Sequence, residues 1–225
     1  PARCVLMPGL HTGHCYIRGN GKDNLRPEDV TVAEVLKRAD YATGQIGKWG
    51  LGHEGSTGLP TRQGFDFFYG YLDQHHAHLY YPTFLVKNEN RIKLRNIVPD
   101  EGKWGQGVAS KKIDYSPALM MKETLGFIDS NKDERFFLYL SYTLPHANNE
   151  ATRKTGDGTA VPDYGIYKNK KWTKQNKGQA AMVTYLDLSS ETATDVALFG
   201  LGQPGLSGTL QTWVLKPANN GPQVS

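Results

Sequence analysis

The sequence predicts an α/β fold with a mostly parallel central sheet flanked by helices. Two helix-then-strand units carry that prediction, together with the wholly apolar character of the second strand. The first helix is predicted over residues 32–39. Thr31 and Glu34 have the spacing of a capping box, in which each side chain satisfies a free backbone donor at the helix start. Val32, Val35 and Leu36 then fall on one helical face. Residues 41–48 follow as a strand that stops at Gly47-Lys48-Trp49-Gly50. In the second unit Ser116-Pro117 suits the N-cap and first helical position. Met121, Leu125 and Ile128 recur behind it at helical spacing. Phe136-Phe137-Leu138-Tyr139-Leu140 is the apolar run expected of a strand buried on both faces, and it leads into Thr143-Leu144-Pro145-His146.

This architecture bears on function, because ligands of open α/β sheets gather beyond the carboxyl ends of the strands. Lys48 and His146 each stand where such a strand finishes, far apart in sequence but assignable to one edge of the sheet. Residues 52–114, rich in Gly, aromatics and turn formers, read as long excursions over that edge. From residue 188 the texture changes. Residues 188–225 hold only three charged side chains, Glu191, Asp195 and Lys216, and show no convincing period. The chain therefore divides into a domain over 1–187 and a divergent tail over 188–225.

Composition narrows the classes. Hydrophobic content of 38% with 11% aromatics, and a mean hydropathy of −0.53, are those of an ordinary globular protein. No apolar run reaches the length of a membrane span, and the first residues lack the charged and apolar regions of a secretory signal. The net charge of +4 suits an anionic ligand without requiring one. Much of the excess sits at Lys168, Lys170, Lys171, Lys174 and Lys177 around Trp172. No nucleic-acid motif accompanies this run, so it reads as a solvated loop and nucleic acid is not an expected partner. Two cysteines, Cys4 and Cys15, fit no zinc spacing and make no disulfide framework; they read as two buried thiols, with a single bridge as the alternative.

Three motifs resemble those of the sulfatase family, within the alkaline-phosphatase superfamily. Pro1-Ala2-Arg3 matches the last three positions of a Cys-x-Pro-x-Arg signature, and Cys4-Val5-Leu6-Met7-Pro8-Gly9 matches the helix that follows it. Pro8 replaces a residue that is usually Thr. Tyr41-Ala42-Thr43-Gly44-Gln45-Ile46-Gly47-Lys48-Trp49 matches a second signature, with Asp40 in place of a leading Gly. Many relatives carry His two places after that lysine, where this chain has Gly50. Leu144-Pro145-His146-Ala147-Asn148 matches the third. The resemblance runs to about residue 187 and includes Ala180-Ala181-Met182-Val183-Thr184.

What the resemblance implies is a sulfuric ester hydrolase, with the chain as an incomplete part of its catalytic domain. The family's nucleophile is a formylglycine made from the signature cysteine, which would lie two places before Pro1. Arg3 corresponds to the arginine that holds the formylglycine and the metal shell, a task suited to a fixed, permanently charged fork. Lys48 corresponds to the lysine that contacts sulfate and nucleophile, where an ammonium stabilises charge on the nonbridging oxygens. His146 corresponds to the histidine beside the leaving-group oxygen. His76 and His78 are candidates to compensate for Gly50; a metal pair or surface histidines are the alternatives for that cluster. The resemblance further implies a calcium or magnesium ion held by oxygen ligands. Asn219 and Asn220, before Gly221, echo the later metal motif, though the same tripeptide also reads as a turn. The implied substrate is a small-molecule or glycan sulfate ester, and the implied compartment is periplasmic or extracellular.

Two other readings remain open at this stage. One is an inactive anion-binding module that keeps Arg3, Lys48 and His146. The other is a phosphate or phosphonate ester hydrolase of the same superfamily, disfavoured because the first signature serves formylglycine formation. The divergent tail is attributed to disorder or to a frame disruption in the coding sequence with partial return near Asn220. An uninterrupted frame in an independent clone would rule the disruption out.

Overall fold

A computed structural model describes residues 1–21, 23–191, 198–200 and 212–216, with side chains through residue 187. The strands are Ala42–Lys48 (β1), Phe67–Tyr71 (β2), Phe84–Lys87 (β3), Asn90–Lys93 (β4), Phe136–Ser141 (β5), Leu198–Gly200 (β6) and Thr212–Lys216 (β7). They form one sheet in the order β4-β3-β2-β1-β5-β7-β6. The helices are Ala2–Leu6 (α1), Val32–Arg38 (α2), Ser116–Asn131 (α3), Asn149–Thr155 (α4) and Lys174–Glu191 (α5). The α/β class holds. Parallel pairing belongs to the three central strands, with β1 between β2 and β5; the pairings outside them are antiparallel.

Strand alternation sends the two faces of the sheet to two cores. On β5, Phe137 and Tyr139 join a cluster with Trp49, Phe65 and Phe68, against which α1 and α2 pack through Cys4, Met7 and Ala33. Phe136, Leu138 and Leu140 face the other way, toward Met120 and Phe127 of α3. A third cluster, built on Tyr80, Tyr81, Tyr115 and Leu144, is covered by Met182 of α5.

Several local expectations shift. The capping box of α2 is complete, with Thr31 accepting from the Glu34 amide and Glu34 from the Thr31 amide. Its inward face differs, however. Val35 is 54% exposed, whereas Ala33 is fully buried. The backbone of α2 runs close to Gly64 here, where an added Cβ would come within 2.8 Å of the Ala33 carbonyl carbon. In α3 the N-cap is Tyr115 rather than Ser116. The Ser116 hydroxyl is used elsewhere, donating to Tyr80 O at 3.0 Å and accepting from the Tyr71 hydroxyl at 2.7 Å. The buried stripe of α3 is accordingly Met120, Thr124 and Phe127, one place off the predicted Met121, Leu125 and Ile128.

Residues 52–114 were expected as excursions, and β2, β3 and β4 lie within them. Phe67-Phe68-Tyr69-Gly70-Tyr71 is an aromatic run of the kind that fits a pleated, half-buried surface. Helix α1 stops at Leu6, so Pro8 falls beyond it and costs no helical hydrogen bond. Both cysteines are free and buried. Helix α5 crosses the expected boundary at 187, and β7 pairs with β5. Apart from β6 and β7, the tail beyond α5, with Asn219 and Asn220, lies outside the described residues. Among the described residues no helix is long and apolar enough to cross a membrane.

Candidate active site

Lys48 ends β1 beside the carboxyl end of β5, where Gly47 pairs with Ser141. Close approach of three backbones fixes this edge. A Cβ on Gly47, whose φ is +120°, would lie 2.2 Å from Ser141 O, and one on Gly70 would lie 2.0 Å from Gly47 O. Only glycine permits that spacing. The Ser141 hydroxyl donates to Lys48 O at 2.7 Å and accepts from Gln45 Nε2 at 2.7 Å, so the backbone of Lys48 is tied to β5.

Arg3 reaches the same edge from α1, and its Nε donates to Trp49 O. Its guanidinium fills the space beside Gly50, where an added Cβ would lie 2.7 Å from Nη2. Arg3 and Lys48 both line a cleft of about 140 Å³, together with Gly50 and Gln74. Burial, with the Arg3 charge adding to it, lowers the Lys48 ammonium to about 8. Burial also lowers the Arg3 guanidinium. No carboxylate acts on either group among the described residues. Two half-buried cations without an acidic partner attract an anion.

His146 follows β5 on a turn held by the Tyr80 hydroxyl, which donates to His146 O at 2.6 Å and Thr143 O at 3.0 Å. Its Nδ1 lies 2.7 Å from Ala147 O, and since a carbonyl only accepts, Nδ1 carries the proton. Nε2 is left for a ligand. The His78 ring stacks on His146 with centroids 5.2 Å apart and planes 2° from parallel. His78 Nδ1 is 3.2 Å from a Glu150 carboxylate oxygen in the first turn of α4. Burial lowers the His78 ring, and Glu150 opposes it; the charges of His146 and Lys48 act in the same sense as burial.

Of the residues expected from sequence, Arg3 and Lys48 line one cleft, and His78 joins His146 close enough to Lys48 to feel its charge. His76 goes elsewhere. It is 2% exposed, wedged against Tyr71 and Phe84 with centroids 4.9 and 4.4 Å away, and lines a separate cavity. Glu150 and Gln74 were missed. Glu150 has a signal, a carboxylate in the first turn after the Asn148 cap, but nothing in sequence ties it to His78. Among the described residues no group of three or more His, Cys, Asp or Glu forms a metal site. The cleft beside Arg3 and Lys48 has one carboxylate, Asp23. That donor set does not fit a hard dication, which takes six or more oxygens.

Sheet and cleft together define a class, an α/β protein with a cationic cleft at the end of its parallel strands. The family model described as Sulfatase matches residues 4–192, and the chain belongs to that family. It is 31% identical over 132 residues to Arylsulfatase of Hemicentrotus pulcherrimus, covering 56% of this chain and 23% of that one. To Arylsulfatase G of Rattus norvegicus it is 52% identical over 78 residues, covering 31% and 14%. The crystal structure of Ps i-CgsB in complex with k-i-k-neocarrahexaose matches with a TM-score of 0.61 at 22% identity, covering 96% of this chain and 54% of that one. The chain thus spans about a quarter or less of those two relatives and about half of that solved structure.

Proposed function

We propose that the chain forms the sulfate-binding part of a sulfuric ester hydrolase of the arylsulfatase type. Family membership supports sulfate ester hydrolysis as the chemistry. The observation that carries the reading is the pair Arg3 and Lys48, two cations at the end of β1 without a carboxylate partner among the described residues. A sulfate monoester bound there places its nonbridging oxygens against the Lys48 ammonium, where charge accumulates as the ester bond breaks. Arg3 orients the ester through its planar fork. His146 offers Nε2 to the leaving-group oxygen, as a donor when the ring is protonated. His78, held by Glu150, packs its ring parallel against His146 and fixes the plane of that imidazole.

In the family the nucleophile is formylglycine and a calcium or magnesium ion supplies further charge stabilisation. The donors among the described residues do not fit that ion. A glycan sulfate is one class of substrate, supported by the neocarrahexaose complex of the structural neighbour.

Calorimetric titration of inorganic sulfate tests the reading. The chain binds sulfate, and Lys48→Ala weakens binding by about tenfold or more, the loss expected of a charge-assisted contact. Equal affinity in the two proteins would sink the assignment. The chain by itself is expected to release no sulfate from 4-nitrophenyl sulfate with calcium present; metal-dependent release would overturn that expectation.

A further inference from the structure

The lysine run between residues 168 and 177 stands outside the cationic cleft and supplies none of its lining. Between Asp163 and Asp187 the chain carries five lysines, Lys168, Lys170, Lys171, Lys174 and Lys177, and no acidic residue. Among the described residues none of the five forms an ion pair with a carboxylate. Lys174 and Lys177 lie in the first turn of α5, which holds no acidic side chain. A helix dipole is positive at that end, so α5 adds to the field of the lysines instead of offsetting it.

The backbone makes this cluster a fixed platform. A single turn at Gly165–Tyr167 leads into it, with Lys168 N donating to Gly165 O and Lys170 N to Tyr167 O, both at 3.1 Å. The Tyr167 hydroxyl is 3.1 Å from that of Thr184, which pins the turn to α5. The Trp172 ring stacks on Tyr167, with centroids 5.7 Å apart and planes 22° from parallel. Lys177 reaches back from α5 and donates to Lys168 O at 2.9 Å. Composition alone reads this run as a solvated loop, but its fold puts two large apolar side chains into water. Ile166 is 79% exposed and Trp172 47%. Among the described residues no large hydrophobic side chain is more exposed than Ile166.

The combination selects among anionic partners. A soluble polyanion would engage the ammonium groups and could stack on Trp172, yet it has nothing to cover an aliphatic side chain. An anionic bilayer answers both needs. Its phosphates meet the ammonium groups, the lysine stems and the Trp172 ring settle at headgroup level, and Ile166 reaches the acyl boundary. We infer that residues 166–177 form a docking surface for an anionic phospholipid bilayer, on which the chain lies without spanning it. Each lysine at such a surface strengthens binding about fivefold. The surface is independent of the sulfate reading of Arg3 and Lys48.

Co-sedimentation with vesicles tests the surface. Vesicles of phosphatidylcholine alone are compared with vesicles of phosphatidylcholine and phosphatidylglycerol in equal parts. The chain should partition to the anionic vesicles and not to the neutral ones, and added salt should weaken the binding. Lys170→Gln combined with Lys171→Gln lowers the partition coefficient by about twentyfold. Ile166→Ser leaves the charge unaltered and lowers it by about tenfold. These side chains are exposed, so the variants keep the circular dichroism spectrum of the parent chain. Lys48→Ala loses sulfate binding but keeps vesicle binding, which separates the two readings. Equal partition to both vesicle types, or binding to neither, overturns the inference. An unchanged coefficient in Ile166→Ser overturns it too, because the patch would then serve a soluble polyanion. Loss of vesicle binding in Lys48→Ala would move the contact to the cleft, with the same consequence.

Discussion

Lys48 shows how one side chain trades stability for function. Its ammonium is lowered to about 8 by burial first and the Arg3 charge second. A lysine whose folded value lies below its unfolded value destabilises the fold wherever both states are protonated, below about 8. The penalty fades as pH rises from about 8 toward 10.5, where the unfolded chain still holds the proton. Lys48→Met should therefore raise stability at neutral pH by on the order of 1–3 kcal/mol in denaturant titrations, while abolishing sulfate binding. Sulfate affinity should fall as pH rises through about 8, and Lys48→Arg should remove that fall because guanidinium stays charged. A pH-independent wild-type affinity would show that Lys48 is not the titrating contact. Gly50 gives a second residue-scale prediction. Gly50→His restores the residue many relatives carry, yet here φ is +72° and Arg3 Nη2 stands 2.7 Å from the new Cβ. The variant should lose at least about 1 kcal/mol of stability and bind sulfate more weakly, because Arg3 must move.

At the scale of elements, the junction of β1 and β5 sets the site. Gly47, Gly70 and Ser141 bring three strand ends closer than any Cβ allows. Gly47→Ala is expected to cost about 2 kcal/mol or more and to lower sulfate affinity with it, read by thermal unfolding and calorimetry. Full affinity in a folded Gly47→Ala protein would detach the strand junction from the site. Sequence periodicity placed α2, α3, β1 and β5, since their caps and apolar runs are local signals. It set the inward stripe of α3 one place off, and on α2 it grouped the exposed Val35 with Val32 and Leu36, which do pack against the core. Ala33 and Thr124 face the core beside distant partners, the backbone of α2 lying against Gly64 and the Thr124 hydroxyl 2.9 Å from that of Tyr142. A hydrophobicity count cannot see either partner.

Across the whole molecule, the cationic cleft is assembled from four separate segments: the start of the chain with α1, the loop from Ile17 to Asp23, the end of β1 and the loop carrying Gln74. A ligand that bridges them stabilises only the folded chain. Sulfate at a hundredfold excess over its Kd should add about 2.7 kcal/mol and raise Tm by roughly 5–11 °C for a chain of this size. Lys48→Ala should show no such rise at the same sulfate concentration. An equal shift in the variant would mark the effect as general salting rather than site binding.

The α/β class and the family were legible in the sequence alone, and Arg3, Lys48 and His146 were its candidates for the site, because signatures and capping boxes are written in adjacent residues. Tertiary structure decided how those residues are used. It brought Arg3 beside Lys48, stacked His78 on His146 with Glu150 behind it, and sent His76 to the floor of a different cavity. Spacing in sequence carries no record of such meetings, since they depend on strand register and on backbone contacts made across the sheet.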